Sequence, residues 1–358
     1  MDKLASKQAL LDRIRLSEGA KFECNEKAIL NEYHIQEENK SSLAIKILSV
    51  FGGFLATFAF LGFLLVAGLY DSELGLSIFG IGFIIFAIWL NKEYDKLIID
   101  TFSISTYVIG LALLAFGLIQ LNIDKNIVVI FISIIAISSL IITQNYILSF
   151  ISVLTISGSF LTLIISNDLY NLIHLYIAIN ILILSYLFLN ESKIISSNIK
   201  LSKLYNPVRI GLVFSLLFGL VTIGKRHLIP ISQNYIWLSS IVMSLVIIYL
   251  VYIISKLNEI ESLKSKILIY FLSSIILVST IYSPAISGTI IIVLLSFLVN
   301  YKTGLVIGII SFIYFISQYY YDLNFTLLTK SIILFSSGIV FLLFYFFTTK
   351  KLNLNEKI

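Results

Sequence analysis

Charge is scarce in this sequence. Asp, Glu, Lys and Arg make up 13% of its 358 residues, about half the share of an ordinary soluble domain. A water-facing surface cannot be covered with so few charges, and a conventional globular fold is excluded. Cysteine is nearly absent too: the single Cys24 rules out an intramolecular disulfide framework. The three prolines, Pro207, Pro230 and Pro284, fall in or beside expected connections. No helix is therefore expected to be interrupted at mid-membrane, as in transporters that bind substrate through broken helices. His34, His174 and His227 are the only histidines and belong to different regions. There is no Gly-rich phosphate loop ending in Gly-Lys-Ser/Thr, no His-Glu-x-x-His and no Cys/His cluster with ligand spacing. No catalytic residue, cofactor or metal is expected.

What the chain has in abundance is apolar helix-length sequence. Hydrophobic residues make up 58% of it, and the mean hydropathy is +0.99. Ala44 to Tyr70 forms one such run, charged only at Lys46. A bilayer core takes about 20 mostly apolar residues per helix. The expected fold class is all-α, a polytopic transmembrane helix bundle of about twelve spans, with a range of ten to twelve. The expected spans are 44–70, 75–90, 97–121, 127–143, 146–165, 171–189, 209–224, 236–255, 267–282, 285–300, 304–320 and 326–348. Residues 1–42 read as a polar helical tail with seven Lys/Arg and eight Asp/Glu, 43–348 as the bundle and 349–358 as a C-terminal tail. The opening Met1-Asp2-Lys3 shows no apolar core followed by a cleavage site, so no signal peptide is expected.

Cations test this layout independently. With the N-terminus inside and the sides alternating, 21 of the 25 Lys and Arg fall inside. They include Lys92, Lys96, Lys193, Lys200, Lys203, Arg209, Lys256, Lys264, Lys266 and Lys302. Lys125, Lys225 and Arg226 fall outside, and Lys330 lies within the last span. Such asymmetry sets orientation, because basic loops resist translocation. Both termini are expected in the cytoplasm of a bacterial cell, with the protein in its cytoplasmic (inner) membrane. The net charge of +5 follows this topology rather than forming a patch, so nucleic acid is not an expected partner. The lipid bilayer is the expected partner, together with another membrane protein; the oligomeric state is not indicated.

A few polar residues lie inside the apolar runs. Lys330 is about six residues inside the outer end of the last span, with Asp322 as counter-charge and Tyr319, Tyr320 and Tyr321 as neighbouring hydroxyls. One reading is a lysine that snorkels or pairs with Asp322; the other is a site for an anionic ligand. Ser152, Thr155, Ser159 and Thr162 are spaced three, four and three, which puts four hydroxyls on one helix face. Asn180 and His174 lie on the next span, and interhelical hydrogen bonds with the stripe are the expected role, ahead of a proton path. Gly304 and Gly308 form a GxxxG expected to pack two helices of one subunit.

The C-terminal run Tyr319-Tyr320-Tyr321-Asp322-Leu323, followed by Thr326-Leu327-Leu328-Thr329-Lys330-Ser331 and Gly338, resembles the last span of a family of bacterial membrane proteins, domain of unknown function 4401. The resemblance implies a short polar tail followed by a long string of spans, and gives weight to Lys330. It implies no activity, cofactor or catalytic residue. Three functions follow as expectations. The first is a non-enzymatic component of a membrane assembly, suggested by featureless spans and short outer loops. The second is a carrier or flippase for a lipid-like or weakly polar substrate, suggested by Lys330, the Ser/Thr stripe and a six-plus-six division at the long inner loop 190–208. The least favoured is a membrane-embedded enzyme centred on Lys225, Arg226 and His227.

Overall fold

The computed structural model describes residues 43–93, 97–225, 229–232, 235–281 and 283–322, with Lys27 and individual positions between 326 and 342. Among them there is no strand and there are twelve α-helices. They are α1 (Leu43–Val66), α2 (Glu73–Glu93), α3 (Leu97–Gln120), α4 (Lys125–Ile142), α5 (Tyr146–Ser166) and α6 (Ile173–Leu189). Then come α7 (Glu191–Ser197), α8 (Ile199–Gly224), α9 (Ile236–Leu257), α10 (Leu263–Ser279), α11 (Pro284–Leu298) and α12 (Lys302–Asp322). Eight of them, α2 to α6, α8, α9 and α12, are long and apolar enough to cross a membrane. The chain is a multi-pass membrane protein. A helix suits that solvent because it satisfies its own backbone hydrogen bonds. Side chains such as Ile141, Leu182 and Phe297 stand more than half exposed, which in a bilayer means they face acyl chains. The expected last span, 326–348, lies largely outside the described residues, and so do nearly all of 1–42 and all of 349–358.

The helices begin and end by local chemistry. Asp124, Asn145 and Asn198 accept from backbone N–H groups in the first turns of α4, α5 and α8, satisfying donors that no helix can pair internally. Pro284 occupies the start of α11, where a missing N–H costs nothing. After α3, α5, α9 and α11 the chain enters the left-handed region at Asn122, Asp168, Glu259 and Asn300, with φ between 51° and 57°. At each, the following N–H reaches back five residues, as from Ile260 to the Ser255 carbonyl and from Tyr301 to the Ser296 carbonyl. This closure caps the last carbonyls and reverses the chain within a few residues, and so neighbouring helices run antiparallel.

The chain forms two compact units. The first comprises described residues up to Asp71 with 82–110; the second comprises 72–81 with those from 111 onward. In the first, Phe60 meets Phe83 edge-on at 5.4 Å, and Ser103 donates to the Ala87 carbonyl at 2.6 Å. An apolar cavity of about 330 Å³ lies against Phe60, Phe83, Phe86 and Phe102. In the second unit α8 is central and packs on α5, α6, α11 and α12. Its core is filled by Ile177, Ile181, Leu184, Val213, Leu216, Leu220, Met243, Ile291, Ile292 and Leu295, all inaccessible.

Two expectations need correction. Segment 190–208 is not a loop: it holds α7 and the start of α8, which runs unbroken through Pro207. Proline removes one hydrogen bond to the carbonyl four residues back, here that of Lys203. Pro207 is itself buried. Nor does this segment divide two bundles, since α6 and α8 pack directly, Gly219 lying against Tyr176 and Ile177. The GxxxG of α12 does join helices of one chain: Gly304 abuts Ser296 and Gly308 abuts Val293, both on α11.

Candidate functional site

Two buried polar nodes stand at opposite ends of the second unit. The first is built around Arg209, which the sequence marked only as a topological charge. It lies in the body of α8, where Tyr205, Asn206 and Arg209 share a face by their spacing of three and four. Phe188 comes from the end of α6, Glu191 from the start of α7, and Tyr301 from the α11–α12 turn. Arg209 is 5% exposed. One terminal nitrogen donates to Glu191 at 3.1 Å and the other to Asn206 at 2.7 Å. The guanidinium carbon stands 3.7 Å from the centre of the Tyr301 ring, 4.8 Å from Tyr205 and 5.4 Å from Phe188. The Tyr205 hydroxyl donates to the Leu187 carbonyl. A buried charge needs a partner and satisfied hydrogen bonds; here a carboxylate, an amide and three π-faces supply them, and only Nε lacks an acceptor. Guanidinium suits this place because it is planar, stacks on rings and stays charged. The node pins α7 and the α11–α12 turn to α8.

The second node lies at the other end. His174 Nδ1 on α6 is 2.9 Å from Ser239 Oγ on α9, and both are buried. Ser239 also has the Ile236 carbonyl at 3.2 Å. If its proton goes there, Nδ1 is the donor and Nε2, which has no partner, carries the lone pair. Nearby, Ser240 donates to the Ile281 carbonyl, and Ser287 donates to Thr280 at 2.8 Å. These contacts tie α9 and α11 to the connection that follows α10. His174–Ser239 and Ser240–Ile281 each join residues more than forty positions apart in sequence.

The remaining residues marked in the sequence fall as follows. Ser152, Thr155 and Thr162 donate to the carbonyls of Leu148, Ile151 and Gly158, four residues back in α5. Ser159 is buried on the same helix, while Thr162 is exposed. Asn180 is buried and donates to the Tyr176 carbonyl, also four back. Tyr176 in turn donates across to the Ser215 carbonyl of α8 at 2.9 Å. Asp322 ends α12 and accepts from Gln318 at 3.4 Å. Tyr320 and Tyr321 meet edge-on at 5.7 Å, and Tyr319 packs on the core. Lys330 lies outside the described residues, as do Arg226 and His227. Lys225 is exposed at the end of α8. Among the described residues no three His, Cys, Asp or Glu side chains surround a common point.

The chain belongs to the family described as domain of unknown function (DUF4401), whose model matches residues 42–351. No curated protein and no solved structure is detectably similar to it.

Proposed function

We propose that this DUF4401 member is a non-enzymatic component of a membrane assembly in the bacterial cytoplasmic membrane, with both chain termini in the cytoplasm. The observation that carries the reading is the filled centre of the second unit. Ile177, Ile181 and Leu184 of α6, Val213, Leu216 and Leu220 of α8, and Ile291, Ile292 and Leu295 of α11 meet without exposure. An interior of this density resists the rearrangement that a carrier needs, because packed cores switch between discrete arrangements rather than deforming. The Arg209 node adds a crosslink of charge and rings at one end. Short connections leave little of the bundle outside the bilayer, so a partner would be met mainly through helices.

Crosslinking in native membranes before extraction, followed by mass measurement of the purified species, tests the reading. A defined complex of greater mass, holding a second membrane protein in fixed ratio, is the expected result. A lone monomer, together with lipid movement by the protein reconstituted in vesicles, would replace this reading with the carrier. Orientation rests on the cation asymmetry, with Lys193, Lys200, Lys203, Arg209 and Lys302 gathered at one end of the second unit. Epitopes fused to each terminus should both resist reagents added to intact spheroplasts and both react after permeabilisation. Reaction of only one in intact spheroplasts would overturn the assignment.

A further inference from the structure

Between the end of α9 and the start of α10 lies a cleft of about 450 Å³. That volume falls within the range of small-molecule sites, roughly 300–1,000 Å³. Two cations and two carboxylates line it: Lys256 from the last turn of α9, Glu259 and Glu261 from the connection, and Lys266 from the first turns of α10. Tyr252, Tyr270 and the buried Ser255 also line it. The four charged side chains make no ion pair with one another within 4.0 Å. Opposite charges that share a cleft without pairing leave separate places for an anion and a cation.

The residue choice at the turn points the same way. The comparable reversals after α3, α5 and α11 use Asn122, Asp168 and Asn300, residues that tolerate the left-handed region. After α9 the position is taken by Glu259, at φ 51°. Glutamate gains nothing there from local backbone bonding, yet it adds a carboxylate to the cleft lining. Tyrosines at the wall suit the headgroup layer, where an aromatic body and a polar tip are both accommodated.

We propose that this cleft binds the phosphoethanolamine headgroup of a zwitterionic phospholipid. Lys256 and Lys266 take the phosphate, and Glu259 and Glu261 take the primary ammonium. An anionic headgroup without an amine meets the same two lysines but also two uncompensated carboxylates. A quaternary amine cannot donate hydrogen bonds to them. The site is distinct from the assembly role proposed above and holds whether or not that role does.

The test uses the full-length protein in nanodiscs of equimolar phosphatidylethanolamine and phosphatidylglycerol. Lipid retained after transfer to detergent is then measured by native mass spectrometry. The intact protein should retain phosphatidylethanolamine over phosphatidylglycerol by about five-fold, the effect of about one interfacial charge. The double variant Glu259→Gln/Glu261→Gln should lose or reverse that preference, and Lys256→Ala/Lys266→Ala should retain little of either lipid. All four side chains are exposed, so these variants leave the core untouched; unchanged thermal unfolding checks this. Equal retention of both lipids by the intact protein would overturn the proposal, as would a preference unaffected by the glutamate substitutions. Binding of soluble O-phosphoethanolamine with no lipid retained would overturn its assignment to a membrane lipid.

Discussion

Replacing Arg209 with alanine is expected to destabilise the second unit by about 3 kcal/mol, the low end for breaking a buried ion pair. The low end applies because Glu191 keeps 27% of its side chain exposed and can rehydrate in part. Several losses coincide in the variant. Glu191 and Asn206 lose their donor, three rings lose the cation between them, and a cavity opens against Phe188. Arg209→Lys keeps the charge but cannot bond Glu191 and Asn206 together while stacking on Tyr301, so it should fall between alanine and the native protein. Thermal or SDS-driven unfolding of the purified protein in detergent, followed by tryptophan fluorescence, measures the series. Equal stability of the arginine, lysine and alanine forms would show that the node holds nothing together.

The second large effect concerns two helical glycines with opposite surroundings. A Cβ on Gly117 in α3 would sit 2.8 Å from the backbone nitrogen of Ser77 in α2 and 2.6 Å from its hydroxyl oxygen. Backbone cannot step aside as a flexible side chain does. Gly117→Ala is therefore expected to destabilise by about 1–3 kcal/mol, the range for overpacking, and Gly117→Val by more. A Cβ on Gly158 in α5 would meet nothing within 4 Å. There alanine removes the conformational cost of glycine in a helix, a gain of about 0.5–1 kcal/mol. The same unfolding assay should move the two alanine variants in opposite directions. Parallel shifts would mean that close approach of α2 and α3 is not what Gly117 provides.

Much of the helix pattern was legible before any coordinates. A span is recognisable by length and apolar content, both local properties, and the helices from α1 to α12 fall on expected spans apart from the additional α7. The start of α8 was not legible. Lys200, Ser202, Lys203, Asn206 and Pro207 look like connection when read one after another, and the span was drawn from Arg209 onward. Placed at that edge, the arginine read as a topological signal and not as a buried group. Its spacing from Tyr205, two polarizable side chains one turn apart, was the available clue. Phe188 and Tyr301 are distant in sequence, and nothing local announces them. The hydroxyl stripe of α5 shows a different limit. Periodicity placed Ser152, Thr155, Ser159 and Thr162 on one face, but Ser and Thr can satisfy themselves on the carbonyl four residues back. A stripe therefore marks a face without naming what it bonds. Gly304 and Gly308 were readable as a point of close approach, and the identity of the approaching helix, α11, came only from the fold.

The order of residues alone determined the solvent this protein lives in and where most of its helices lie. Each helix pairs its own backbone groups and must match the bilayer thickness, so neither property waits on the rest of the chain. Tertiary structure decided which helices touch, where a cation is caged and which hydroxyls cross between helices. In lipid every apolar face is equally acceptable to its surroundings, and shape complementarity at glycines, with a few charged and polar contacts, selects one arrangement among many.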